Sequence, residues 1–184
     1  PLLAEQTAAH LIQPGPMTHD GLLYDARDAA EGQKTLHRIN TMIGAINHAN
    51  ASTDPLPPEE ELAQDWNDDM LWWGPAGIGA TYTIPRYIEQ HQSVFRQRMS
   101  GRQFNGHICR MAEGNYGGFF GWPNLSVTND NGFMGLPPSD TPADMRVVDI
   151  YRRSGEKLAE NWVFIDMLHF MKMQGVDVLA GLSG

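Results

Sequence analysis

The sequence predicts an α+β fold in which N-terminal helices pack on one face of a curved antiparallel sheet. Three observations carry this prediction. Apolar residues recur at helical spacing in the first half of the chain, and that spacing disappears from Phe104 onward. The second half breaks into strand-like runs joined by tight-turn sequences such as Glu113-Gly114-Asn115 and Ser154-Gly155-Glu156. The length, 184 residues, suits one core with an extension.

Residues 1–32, with Pro14, Gly15, Pro16 and Gly21, are expected to form an irregular arm, and 33–184 the folded α+β domain. Over Gln33–Asn50 the residues Leu36, Ile39, Met42, Ile43 and Ile46 make one helical stripe. Asp54-Pro55-Leu56-Pro57-Pro58 stops that helix, and Glu59–Gln64 can add one or two further turns. Asp69–Trp73 is a short aromatic strand, ended by Gly74-Pro75. A second amphipathic helix is expected over Ile84–Met99, with Ile84, Tyr87, Ile88, His91, Val94 and Phe95 on its apolar stripe. Strands are expected at Gly106–Ala112, Tyr116–Val127, Met145–Arg153 and Lys157–Asp166, with a loop over Thr128–Ala143. A short helix, Met167–Gln174, closes on Gly175.

Composition excludes several classes of function. A net charge of −9 argues against nucleic acid, whose binders neutralise phosphates with clustered Lys and Arg. No apolar run is long enough to span a bilayer, so no membrane partner is expected. The single cysteine, Cys109, excludes an internal disulfide and Cys-rich metal sites. With no basic-then-apolar leader pattern either, a cytoplasmic location is expected.

Gly74–Gly79 lacks the Lys and Ser/Thr of a phosphate loop and the βαβ context of a dinucleotide fingerprint, so it is read as a bend. None of the seven histidines shows helical zinc spacing, and no metal is expected. His107 lies among apolar neighbours, and His91 on a helical apolar stripe. For each, a satisfied core histidine and a functional one are both open. Trp72, Trp73, Tyr116, Trp122 and Trp162 belong to a dense aromatic set, part of which is expected to line a ligand cavity. Among the carboxylates Asp149, Glu160 and Asp166, the last is flanked by apolar residues on both sides. Desolvation would make Asp166 a competent proton acceptor; capping of the following helix is the equally open alternative.

Ala112-Glu113-Gly114-Asn115-Tyr116, Gly121-Trp122-Pro123, Met145–Arg152, Lys157–Leu168 and Gln174-Gly175 together resemble the SnoaL-like polyketide cyclases of the nuclear transport factor 2-like superfamily. The resemblance spans roughly Gln33 to Leu179. It implies a cone-shaped α+β barrel, often dimeric through the outer face of its sheet, and aldol cyclisation without metal or cofactor. The family's acid/base aspartate falls on Asp166. Its assisting histidine has no counterpart on Met145–Arg153, where Ile150 and Arg152 stand, and His107 is a candidate from a neighbouring strand.

The expected activity is therefore binding of a hydrophobic carbonyl compound, with cyclisation or isomerisation by Asp166. Trp72, Trp73, His91, Tyr116, Trp122, Arg146 and Trp162 are the expected substrate-binding residues. Asp149, Arg146 and Asp166 also supply the residue types of an epoxide-hydrolase cluster. The alternative is a regulatory or binding module of the same fold that does no chemistry.

Overall fold

The computed structural model describes residues 21–22, 29–75, 77–121 and 124–182. Most of the expected arm thus lies outside the described residues. Helix α1 (Ala29–Ala51) begins four residues before the periodic stripe does. Leu36, Ile39, Met42 and Ile43 are buried on one side of it, as their spacing requires. Each such side chain contributes about 1.5–3 kcal/mol by leaving water. Helix α2 (Pro58–Asp65) starts on Pro58, with Glu59, Glu60 and Glu61 in its first turn. It runs directly into strand β2 (Trp66–Trp73). Strand β3 (Ala80–Tyr82) pairs back on β2.

The second helical rod has three parts: α3 (Ile84–Tyr87), a π-helical stretch Ile88–Gln92, and α4 (Ser93–Arg98). The π stretch inserts one extra residue into the turn and re-aims the side chains it carries. Seven further strands follow: β4 (Ser100–Phe104), β5 (Cys109–Glu113), β6 (Tyr116–Phe120), β7 (Leu125–Thr128), β8 (Pro142–Met145), β9 (Val147–Ser154) and β10 (Lys157–Ile165). Helix α5 (Met167–Met173) and a 3-10 turn, Ala180–Leu182, end the description. No helix among the described residues is long and apolar enough to cross a membrane.

The strands form a seven-stranded sheet of order β1-β5-β6-β9-β10-β2-β3, with β1 at Gly21–Leu22, and a three-stranded sheet of order β4-β7-β8. The architecture is the expected α+β cone, with two differences. The large sheet is mixed, because β2 lies parallel to β10 and β1 parallel to β5. The two sheets also do not join into a closed barrel among the described residues.

Two expected strands are cut by the chain changing sheets. Tyr116–Val127 divides after Gly121, which has φ 108° and packs so tightly that a Cβ there would come within 2.2 Å of the Ile108 side chain. Met145–Arg153 divides at Arg146, the single residue between β8 and β9. These two crossings fold the small sheet over the open side of the large one. Phe170 of α5, fully buried, fills the space beneath the small sheet with Met99, Val127, Ala143 and Met145.

The narrow end of the cone is pinned by a polar lock. Arg153 donates through Nε to Thr35 Oγ1 (3.0 Å) and pairs with Glu31, while Thr35 donates to the Gly114 carbonyl (2.7 Å). The lock ties α1 to both hairpin turns.

Candidate functional site

Alternation along β9 and β10 decides which side chains face the helices. Val147, Asp149 and Tyr151 of β9 share one face; Asn161, Val163 and Ile165 of β10 share the same one, after a bulge between Leu158 and Glu160 resets the register. With α1, the rod 84–98 and the small sheet they enclose a cavity of about 290 Å³. Its walls are mostly apolar, among them Met42, Ile43, Trp66, Trp72, Phe104 and Phe119.

The carboxylate in this cavity is Asp149. Its Oδ2 accepts the Tyr151 hydroxyl (3.0 Å), and its Oδ1 accepts Nδ2 of Asn161 (3.3 Å). Asn161 also donates to the Ile150 carbonyl (3.2 Å), which fixes its amide orientation. Burial pushes the Asp149 carboxyl up to about 7, against the smaller lowering by those two hydrogen bonds. The Tyr151 and Tyr87 phenols are pushed upward by burial and by the nearby Asp149 charge, so both stay protonated donors. Gly118 of β6 lies against the strand that carries the acid: a Cβ there would come within 2.1 Å of the Asp149 carbonyl oxygen.

Opposite Asp149 the rod contributes Tyr87 and His91. His91 lies in the π-helical stretch, and its ring stacks on Trp72 with centroids 3.9 Å apart. Burial pushes it down to about 4, so it is a neutral imidazole at physiological pH. Both side chains line the cavity, and neither hydroxyl nor ring nitrogens hydrogen-bond to another described residue.

His107 also lines the cavity, buried and stacked on Phe119 at 3.6 Å. It precedes β5 instead of lying within a strand. Arg110 Nε donates to its Nδ1 (3.0 Å) while Arg110 Nη1 donates to Asn40 Oδ1 (2.9 Å). A ring nitrogen that accepts carries no proton, so the neutral ring has its proton on Nε2.

The remaining predicted residues lie elsewhere. Asp166 caps α5: its Oδ1 accepts the His169 amide (3.0 Å). Arg146 Nη1 is 3.6 Å from Asp166 Oδ2, and neither residue is among those lining the cavity. The structure therefore brings Arg146 and Asp166 together but leaves Asp149 away from both as a cavity residue. Trp73, Tyr116 and Trp162 are on the outer face of the large sheet, where Tyr116 and Trp162 stack at 6.5 Å and Trp73 meets Tyr82 edge-on at 6.2 Å. Trp122 lies outside the described residues. Trp72, His91 and His107 are the predicted residues that the cavity does gather.

Sequence reasoning passed over Tyr87, Tyr151 and Asn161 as site residues. The i, i+2 spacing of Asp149 and Tyr151 in an apolar strand was the available signal. Arg96 and Arg102 line the cavity too. No group of three or more His, Cys, Asp or Glu placed to hold a metal occurs among the described residues.

No family model matches the sequence, and no curated protein does. Solved structures do match in shape. IdmH from Streptomyces antibioticus, a candidate polyketide cyclase, superimposes with TM-score 0.56 at 17% identity, over 74% of this chain and 97% of that one. A nuclear transport factor 2-like protein from Burkholderia xenovorans LB400 gives 0.58 at 12% identity, over 78% and 97%. A candidate SnoaL-like polyketide cyclase from Jannaschia sp. CCS1 gives 0.55 at 14%, over 80% and 94%. Helices laid on a curved sheet around one internal cavity, together with these matches over nearly the full length of each neighbour, show that the chain has the nuclear transport factor 2-like fold shared by the SnoaL-like polyketide cyclases.

Proposed function

We propose that the chain binds a hydrophobic carbonyl compound in this cavity and removes a proton α to its carbonyl, as an aldol cyclisation or an isomerisation requires. The observation that carries this reading is Asp149: a carboxyl inside an apolar cavity, oriented by two hydrogen bonds and titrating near neutrality. A general base works best when its pKa lies near the working pH. In this reading Asp149 takes the role that the family resemblance implies for Asp166.

In the proposed step an Asp149 oxygen takes the α-proton, and the carbon–hydrogen electron pair moves into the enolate. The enolate oxygen accepts hydrogen bonds from neutral donors on the facing wall, Tyr87 and His91. Neutral donors suit this task, because they leave the proton on the base and still stabilise the developing charge. The enolate carbon then attacks a second carbonyl of the same molecule, whose oxygen takes the proton back from Asp149 as it becomes a hydroxyl; in an isomerisation Asp149 instead returns the proton to another carbon of the enolate. Trp72 and Phe119 offer flat walls to a conjugated substrate.

A binding module without chemistry would need the cavity but not a carboxylate held near neutral pKa, and Asp149 favours the enzyme. We further propose a homodimer formed through the outer sheet face, where Phe164 is 59% and Tyr116 49% exposed.

Deuterium uptake at the methyl group of acetylnaphthalene in D2O, followed by proton NMR, tests the reading. Wild type and Asp166→Asn are expected to accelerate uptake, and Asp149→Asn to lose about a hundredfold or more of that acceleration. Full activity in Asp149→Asn would refute it.

A further inference from the structure

We infer that the substrate carries a carboxylate, and that Arg96 of α4 and Arg102 of β4 receive it at the mouth of the cavity while the apolar carbonyl body lies inside. This deepens the proposed activity and rests on the same cavity being the substrate site.

Both arginines line the cavity, on elements joined by the short turn through Met99. Arg102 Nη1 donates to the main-chain carbonyl of Met99 (2.6 Å) and, more weakly, to that of Arg96 (3.4 Å). Those bonds hold the guanidinium in place without neutralising it. Among the described residues neither Arg96 nor Arg102 forms an ion pair, in contrast to Arg38, Arg86, Arg146, Arg152 and Arg153, each of which has a carboxylate partner. Arg98 and Arg110 also lack a carboxylate partner among the described residues, but they bond to neutral groups and do not line the cavity, so Arg96 and Arg102 are the arginines that leave positive charge on it.

The acidic groups near them do not fill the role. Glu61 of α2 is buried and feels the Arg96 charge, but makes no ion pair with it, and its Oε2 has no hydrogen-bond partner. Asp149 is held by Tyr151 and Asn161. Burial lowers the Arg102 pKa, and the nearby Arg96 charge adds to it, so the two guanidinium groups also repel each other. An incoming anion would relieve that repulsion. A planar carboxylate suits guanidinium forks, which can grip both of its oxygens at once. Asn47, Asn50 and Gln92 line the same cavity with neutral polar groups, consistent with a mouth that stays polar.

The test uses two probes of matched shape, naphthoate and acetylnaphthalene, titrated by calorimetry into the whole chain at pH 8. Naphthoate is expected to bind about tenfold more tightly, the scale of one charge-assisted hydrogen-bonding contact. Arg96→Gln and Arg102→Gln should each remove most of that preference while acetylnaphthalene binding holds, and added salt should erode it. Equal affinities in wild type would overturn the inference, whatever the variants do, and so would failure of naphthoate to bind. Coenzyme A outcompeting naphthoate through the same two arginines would also overturn it, by assigning the site to phosphate. Asp149→Asn separates the two claims: if exchange activity survives in that variant while the carboxylate preference stands, the proposed base falls and the anion site does not.

Discussion

The Tyr151 hydroxyl donates to Asp149 Oδ2 at 3.0 Å, and the two residues are next-but-one neighbours on the inner face of β9. One strand thus supplies both the acid and the group that orients it. The hydrogen bond favours the ionised carboxylate, whereas burial opposes it, and burial is the larger effect.

Removing the phenol shifts that balance. Tyr151→Phe should move the midpoint of the activity–pH profile upward, by about one pH unit for the loss of one hydrogen bond to a charged group. Turnover below neutral pH then falls more than turnover at high pH. An unchanged midpoint would show that the hydrogen bond does not act on the base.

Stability should carry the same signature. The folded Asp149 has its pKa raised to about 7, so between the usual carboxylate value and neutrality the native state holds a proton that the unfolded chain has lost. Stability therefore falls as pH rises through that window. His91, lowered to about 4, acts in the opposite sense: stability rises with pH from about 4 to the usual histidine value. Asp149→Asn removes only the first effect. Its melting temperature relative to wild type should climb between pH 5 and pH 8, reaching a gain of about 1–2 kcal/mol. A flat difference would mean that Asp149 titrates normally.

Asp166 should behave as a cap. Asp166→Ala is expected to cost about 1 kcal/mol in denaturant unfolding, and Asp166→Asn only a few tenths, because Asn caps well. Loss of turnover in Asp166→Asn at full stability would return the base to Asp166.

The sequence carried the fold further than the site. Helical stripes such as Leu36–Ile43 and the hairpin at Ser154-Gly155-Glu156 are local signals, and they appear where expected. The sheet crossings at Gly121 and Arg146 are not local: the strand pattern continues through both, and tertiary packing decides where the chain turns away. Asp166 was conspicuous because it ends an apolar run, yet a helix start explains the same position. In the sequence Asp149 stands out only as a companion of Arg146 and Asp166, because its actual surroundings come from Tyr151 two residues on, Asn161 on the neighbouring strand and the distant helical rod. Face alternation separates Trp72 from Trp73 and puts Trp162 outside, but which face encloses the cavity emerges only once the helices are placed.

The outer sheet face should mediate self-association. Phe164→Glu places a charge on that exposed apolar surface and should convert a dimer to a monomer in sedimentation, with the fold retained. Wild-type protein that sediments as a monomer would contradict the proposed homodimer.

The proposed base, Asp149, is poised near neutrality by its burial in the cavity. Carbon-13 NMR titration of the aspartate carboxyls, with Asp149 identified by the signal lost in Asp149→Asn, measures it without any substrate. That signal is expected to titrate with a midpoint near 7. A midpoint in the ordinary carboxylate range, about 4, would contradict it.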